Sequence, residues 1–126
     1  MTLSHLEIFQ RYMFTGAVSR DADGQAQLFT EDGVYEAPLD NLRLEGRAAL
    51  KAGFAELHAR TPAPDGALNP GASRQVVHAT DDPDVFIVEL DAVFDRADET
   101  SHTVSLVQIF RVRDGQIRQL RDYFKA

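Results

Sequence analysis

At 126 residues, 44% hydrophobic and 26% charged, the chain has the size and composition of one soluble domain spanning residues 1–126, able to bury about two-thirds of its unfolded surface. Twenty acidic against thirteen basic residues leave a net charge of −7, which opposes a grip on nucleic-acid phosphates, and no run reaches the ~20 apolar residues of a membrane helix. The absence of cysteine excludes disulfides and thiolate metal sites and fits a reducing cytoplasm.

The first stretch, MTLSHLEIF, has no basic region leading into an apolar core and a cleavage site, so a cytoplasmic protein is expected. A helix is predicted from about Leu3 to Phe14. Ser4 and Glu7 have capping-box spacing, and Leu6, Phe9 and Met13 share a face flanked by Ile8 and Tyr12. A shorter helix is expected over Asp23–Phe29, then a turn at Thr30-Glu31-Asp32-Gly33 and a short strand Val34–Ala37 stopped by Pro38. A third helix starts near Gly46. Leu50, Phe54 and Leu57 recur on one face, Ala49 and Gly53 allow close packing, and Glu56 and Arg60 have pairing distance. Thr61-Pro62 ends it, because the residue before a proline is driven out of the helical region.

Pro62 to Ser73, with three prolines and two glycines, reads as a surface loop. Four strands follow: Arg74–Thr80, Val85–Arg96, Ser101–Arg113 and Gln116–Phe124. The last two are joined by Asp114-Gly115, a strong hairpin marker because both central residues of a type I′ turn need positive φ. Arg111, Arg113, Arg118 and Arg121, interleaved with Asp114 and Asp122, read as a solvated or interface strand face. Helices followed by a mostly antiparallel meander predict an α+β fold: a strongly curved, cystatin-like antiparallel sheet wrapped around three N-terminal helices, forming a cone with an interior pocket.

Glu89 and Asp91 share a strand face with Ile87 and Val93 by period two. If that face lines a pocket, desolvation and mutual repulsion raise a carboxyl pKa into a useful range; if it is the wet or dimer-facing side, the acids pair with arginines. Asp122 falls with Leu120 and Phe124 on the apolar side of the last strand, where it is either a structural ion-pair partner or a general base. His78, beside Val76 and Val77, is either a packed strand residue or a pocket acid/base, and Phe29, Phe54 and Phe110 either form core or stack on a ligand. No metal-ligand spacing and no glycine-rich phosphate loop occurs, so neither metal nor cofactor is expected.

The ordered set QRY in the first helix, LFTEDGVYEAP, GRAALKAGF and IFRVRDGQIRQLRDYF resembles the SnoaL-like branch of the nuclear transport factor 2 superfamily over essentially the whole chain. The resemblance implies a cone-shaped α+β barrel with an apolar pocket, commonly a homodimer through the outer sheet face. Relatives include ketosteroid isomerase, limonene epoxide hydrolase, polyketide cyclases, dehydratases and binders without a reaction, so the fold leaves the activity open. Tyr12 matches the ketosteroid isomerase tyrosine, but Ala37 stands where its catalytic aspartate would be, and Gln108 where its second oxyanion donor would be. Compared with the epoxide hydrolase, Asp122 matches the water-activating acid, Tyr35 the water-holding tyrosine and Asp91 a second aspartate. Ala37 replaces its asparagine, and Glu89 inverts the charge of its arginine. Polyketide cyclases place a general acid/base around Asp122. The resemblance therefore implies a protein that binds a small apolar or amphipathic molecule, with Asp122, Asp91, Tyr12 and Tyr35 as catalytic candidates and Glu89, Gln108, His78, Phe29, Phe54 and Phe110 around the substrate. A cofactor-independent acid/base enzyme and a non-catalytic binding or interaction module both remain open.

Overall fold

The computed structural model describes residues 3–60 and 66–124. The chain runs α1 (His5–Met13), a single π-type turn (Phe14–Val18), α2 (Ala22–Gln27), β1 (Phe29–Ala37), β2 (Leu42–Glu45), α3 (Arg47–Arg60), and then β3 (Ala67–Leu68), β4 (Arg74–Ala79), β5 (Val85–Asp95), β6 (Ser101–Arg113) and β7 (Gln116–Tyr123). The strands form one sheet in the order β2-β1-β7-β6-β5-β3, with β4 also on β5. All pairings are antiparallel except that of β1 with β7. The fold is α+β, as expected, with the helices covering the inner face of a mixed, mostly antiparallel sheet.

Ser4 and Glu7 make the reciprocal capping box, with backbone-to-side-chain bonds of 3.1 and 3.2 Å. The buried face of α1 is Ile8, Phe9 and Tyr12, while Leu6 stays 45% exposed, so the core stripe is rotated from the one centred on Leu6 and Met13. His5 stacks on Phe86, which stacks in turn on Phe110. Tyr12 sits edge-on among Phe29, Phe54 and Phe110, with ring centroids 5.8–6.5 Å away.

Four sequence expectations are corrected. The Thr30–Gly33 turn is part of β1: the register against β7 shifts between Phe29 and Val34, so the extra residues are absorbed as a bulge. Phe29 accordingly opens a strand instead of closing α2. The short strand β2 went unread; it lies along β1 and lays Leu44 against Gly53 of α3. In the expected loop, Ala67–Leu68 pairs with Phe94 and Asp95 of β5, while the Thr61-Pro62 helix stop lies outside the described residues.

Asp114 and Gly115 have φ of 53° and 79°, as a type I′ turn requires. A second bulge, between Arg111 and Val112 opposite Arg118, changes the phase of β7 so that Ile117 and Leu120 both point inwards. From Leu120 onward the alternation is regular, and it turns Asp122 into the interior.

Candidate functional site

Burial places Asp122 at the centre of the site. It is 7% exposed, on β7, directly opposite Gln108 of β6, which is 1% exposed. The Tyr35 hydroxyl, reaching in from the neighbouring strand β1, donates to Asp122 Oδ2 at 2.9 Å. Oδ1 has no hydrogen-bond partner. Burial pushes the carboxyl up from 3.8 to about 6, hydrogen bonds from Tyr35 and Gln108 draw it back, and the Asp40 carboxylate adds to the rise. Its bonded partners are thus neutral donors, so the structural ion-pair alternative does not describe it.

Two tyrosines share this environment. Burial, then the neighbouring Tyr12 and Asp122, raises Tyr35 far above its ordinary value. Burial followed by the Asp122 charge raises Tyr12, while a hydrogen bond from the Gln25 amide opposes the rise. Both phenols therefore stay protonated at any ordinary pH and act as donors.

Tyr12, Tyr35 and Asp122 line one cavity of about 720 Å³, together with Gln25, Ala37 and Phe54. Its rim carries Arg20, Asp40, Glu56, His58 and Arg60, with Leu42, Leu44, Leu57 and Phe124 as apolar wall. Arg20, at a positive φ of 53°, donates to the His58 carbonyl near the end of α3. Burial and then the Arg20 charge lower the His58 pKa, leaving a neutral imidazole at the rim near neutral pH. The chamber is mixed: an aromatic floor, a buried carboxyl and a charged mouth.

The other candidate residues lie elsewhere. Glu89 and Asp91 do share a face with Ile87 and Val93, but it is the outer one; the inner face of β5 carries Phe86 and Val88. Asp91 is exposed and accepts from Ser105 at 2.7 Å, and exposed Glu89 meets His78 Nε2 at 2.6 Å. Asp91, Glu89 and His78 therefore do not join Asp122 in the cavity. Phe29 and Phe110 are core residues behind Tyr12, Gln108 braces Asp122 from below, and Phe54 alone of the three aromatics lines the chamber. Among the described residues, no group of three His, Asp or Glu is placed to hold a metal ion.

The residue order coincides with a known domain: residues 9–120 match the family model described as SnoaL-like domain. The chain belongs to the SnoaL-like family. Several solved structures share the fold of this SnoaL-like chain. A hypothetical protein with a ketosteroid isomerase-like protein fold from Catenulispora acidiphila DSM 44928, in complex with trimethylamine, superposes with a TM-score of 0.69 at 16% identity, covering 97% of this chain and 88% of its own. SalBIII, an epoxide hydrolase/cyclase-like enzyme in pyran ring formation in the polyether salinomycin, gives 0.68 at 22% identity, with 95% and 89% covered. A phenazine biosynthesis-related protein from Pseudomonas aeruginosa gives 0.67 at 23% identity, with 95% and 74% covered. At such identities the likeness speaks for the fold. No curated protein matches this SnoaL-like sequence.

Sequence reasoning passed over Gln25, Asp40 and His58. Gln25 had a readable trace: a long polar side chain immediately before the apolar Ala26, Leu28 and Phe29, on a helix too short to offer a separate polar face.

Proposed function

We propose that this SnoaL-like protein binds a small, mostly apolar molecule in the chamber and performs cofactor-independent acid/base chemistry on it, with Asp122 as the proton carrier. The observation carrying this reading is the Asp122 carboxyl itself: buried, held on one oxygen by Tyr35, without a partner on the other, and raised to about 6. Near neutral pH it is mostly ionised, so Oδ1 accepts a proton from a substrate C–H, a hydroxyl or a water. The protonated acid then returns that proton at another atom. Tyr12 donates to oxyanion character developing on the substrate. Isomerisation, dehydration, epoxide opening and ring closure all fit this minimal machinery.

The test is turnover by the purified protein on a panel of epoxides, hydroxy-epoxides and β,γ-unsaturated ketones, with Asp122→Asn as the control. Turnover by the parent and its loss, by about a hundredfold or more, in the variant is expected. Retention of full turnover in Asp122→Asn removes Asp122 from the chemistry. One observation favours a purely ligand-binding role: Ala37 lines the chamber where a related isomerase would carry its base. Under that reading the panel binds without turnover.

The same reading includes a homodimer formed through the outer sheet face. Val107 is 38% exposed there, Ile109 is half-buried beside it, and Arg111 and Arg121 hold nitrogens closed off from solvent without a hydrogen-bond partner.

A further inference from the structure

Gln25 is among the few polar side chains in the interior, 4% exposed, and it lines the same chamber as Asp122. Its amide acts on the Tyr12 hydroxyl, lowering that group's pKa, whereas its Oε1 is closed off from solvent and has no partner. A buried carbonyl oxygen left unmatched costs about as much as a lost hydrogen bond, and short α2 would accommodate an apolar side chain here as easily as it does Ala26. Two residues lining the chamber, on different elements, thus each carry a buried acceptor oxygen without a partner, Gln25 Oε1 and Asp122 Oδ1. The π-type turn contributes the space: a Cβ at Gly16 would lie 3.0 Å from Gln25 Nε2, so glycine there lets the amide sit where it does.

We infer that Gln25 is a second recognition point of the chamber, and that the ligand carries two hydrogen-bond donors, one met by Asp122 and one by Gln25. This rests on the proposed use of the chamber for a small molecule and narrows its class. The occupant is a hydroxylated ring compound or a comparable two-donor molecule, rather than a plain hydrocarbon, ether or simple ketone. Ethers and ketones present only acceptors and would leave Gln25 Oε1 facing another lone pair. The donor that reaches Gln25 fixes the orientation, so that the second is delivered to the proton carrier.

The probes are the naphthalenediols with one hydroxyl on each ring, their monomethyl ethers and their dimethyl ethers, titrated at neutral pH by calorimetry. For at least one diol, the parent protein is expected to bind about tenfold more tightly than to its monoether, the value of one well-made hydrogen bond. In Gln25→Leu that diol-over-monoether advantage disappears, while the monoether keeps its advantage over the dimethyl ether, which is read at Asp122. Asp122→Leu gives the converse pattern. In Gly16→Ala, which crowds the amide, the diol advantage shrinks as it does in Gln25→Leu. The Gln25 side-chain amide resonances, assigned by their loss in Gln25→Leu, shift on addition of the diol and not of the dimethyl ether. Gln25→Leu keeps the parent melting temperature within about 2 °C or raises it, since an unmatched acceptor has been removed. An unchanged diol advantage in Gln25→Leu, or a melting temperature lowered well beyond that, makes Gln25 a structural residue and overturns the inference. Failure of every probe to bind at millimolar concentration overturns it too, leaving water as the partner of Gln25. Turnover that persists through Asp122 while the diol advantage is absent separates this failure from a failure of the proposed chemistry.

Discussion

A carboxyl at Asp122 with an ordinary value of 3.8, raised to about 6 by burial, binds its proton more tightly in the folded chain than in the unfolded one. The stability it contributes is therefore fully present below about pH 4 and is lost as pH rises through about 6. By linkage the difference corresponds to roughly 3 kcal/mol at pH 7.5. Asp122→Asn keeps an acceptor for Tyr35 without the charge, so it is expected to be more stable than the parent by that order at about pH 7.5 and equal to it at about pH 4. Urea denaturation at the two pH values checks this, and an equal shift at both would refute the desolvation account. Tyr35→Phe removes a bond that favours the ionised form, so the Asp122 carbon resonance should then titrate above 6. The turnover proposed for the ionised form should rise with pH through the same value.

At the scale of single residues, the inward placement of Asp122 beside Tyr12 and Tyr35 was legible, because the apolar alternation around Leu120 and Phe124 and the resemblance pointed the same way. Glu89 and Asp91 were not. Period two separates the faces of a strand without saying which is inside, and Ile87 and Val93 made the outer face of β5 look apolar enough to be buried. The decisive trace was Phe86 and Val88 on the other face, both fully buried.

Elements carry the next constraint, and β1 shows it best. Its Thr-Glu-Asp-Gly segment has turn chemistry and no register partner, but the pairing of Phe29 with β7 before it and of Val34–Ala37 with β7 and β2 after it carries the strand across, and the mismatch becomes a bulge. That bulge sets the phase at which Tyr35 points to Asp122; a slip of one residue would send Tyr35 to the outer face. Gly33 permits the bend, since a Cβ there would sit 2.8 Å from Phe29 Cβ and 3.0 Å from the Thr30 carbonyl oxygen. Gly33→Ala is therefore expected to cost about 1–3 kcal/mol in urea denaturation, as overpacking does. It should also disturb the Tyr35 and Asp122 resonances together. A variant with parent stability and unshifted resonances would show that the bulge does not depend on this glycine. No such bend is readable from the local sequence, because only the two neighbouring strands force it. The same holds for β2, whose four residues LRLE alternate half-buried and exposed and have no apolar run to announce them.

For the molecule as a whole, the two faces of the sheet differ in composition. The inner face of β6 holds Gln108, Phe110 and Val112 against the helices and Asp122. The outer face carries Val107, Ile109 and Arg111, next to Arg121 of β7, whose guanidinium lies 5.6 Å from the Tyr123 ring centroid. In the proposed dimer these aliphatic residues, flanked by the arginines, form the contact, apolar at its centre and charged at its edge. The outer face also presents Glu89 and Asp91, and a two-fold related copy would set acids and arginines opposite one another. The proposed dimer then has a sharp prediction. Sedimentation at micromolar concentration should give twice the 14.0 kDa chain mass, and Ile109→Lys, placing a charge at the centre of the face, should give the single-chain mass. Because Ile109 and Asp122 lie on opposite faces of the sheet, the Asp122 titration should survive in that monomeric variant. A parent that sediments at 14.0 kDa would leave the outer acids and arginines as a solvated face. A dimer unmoved by Ile109→Lys would put the contact elsewhere on the molecule.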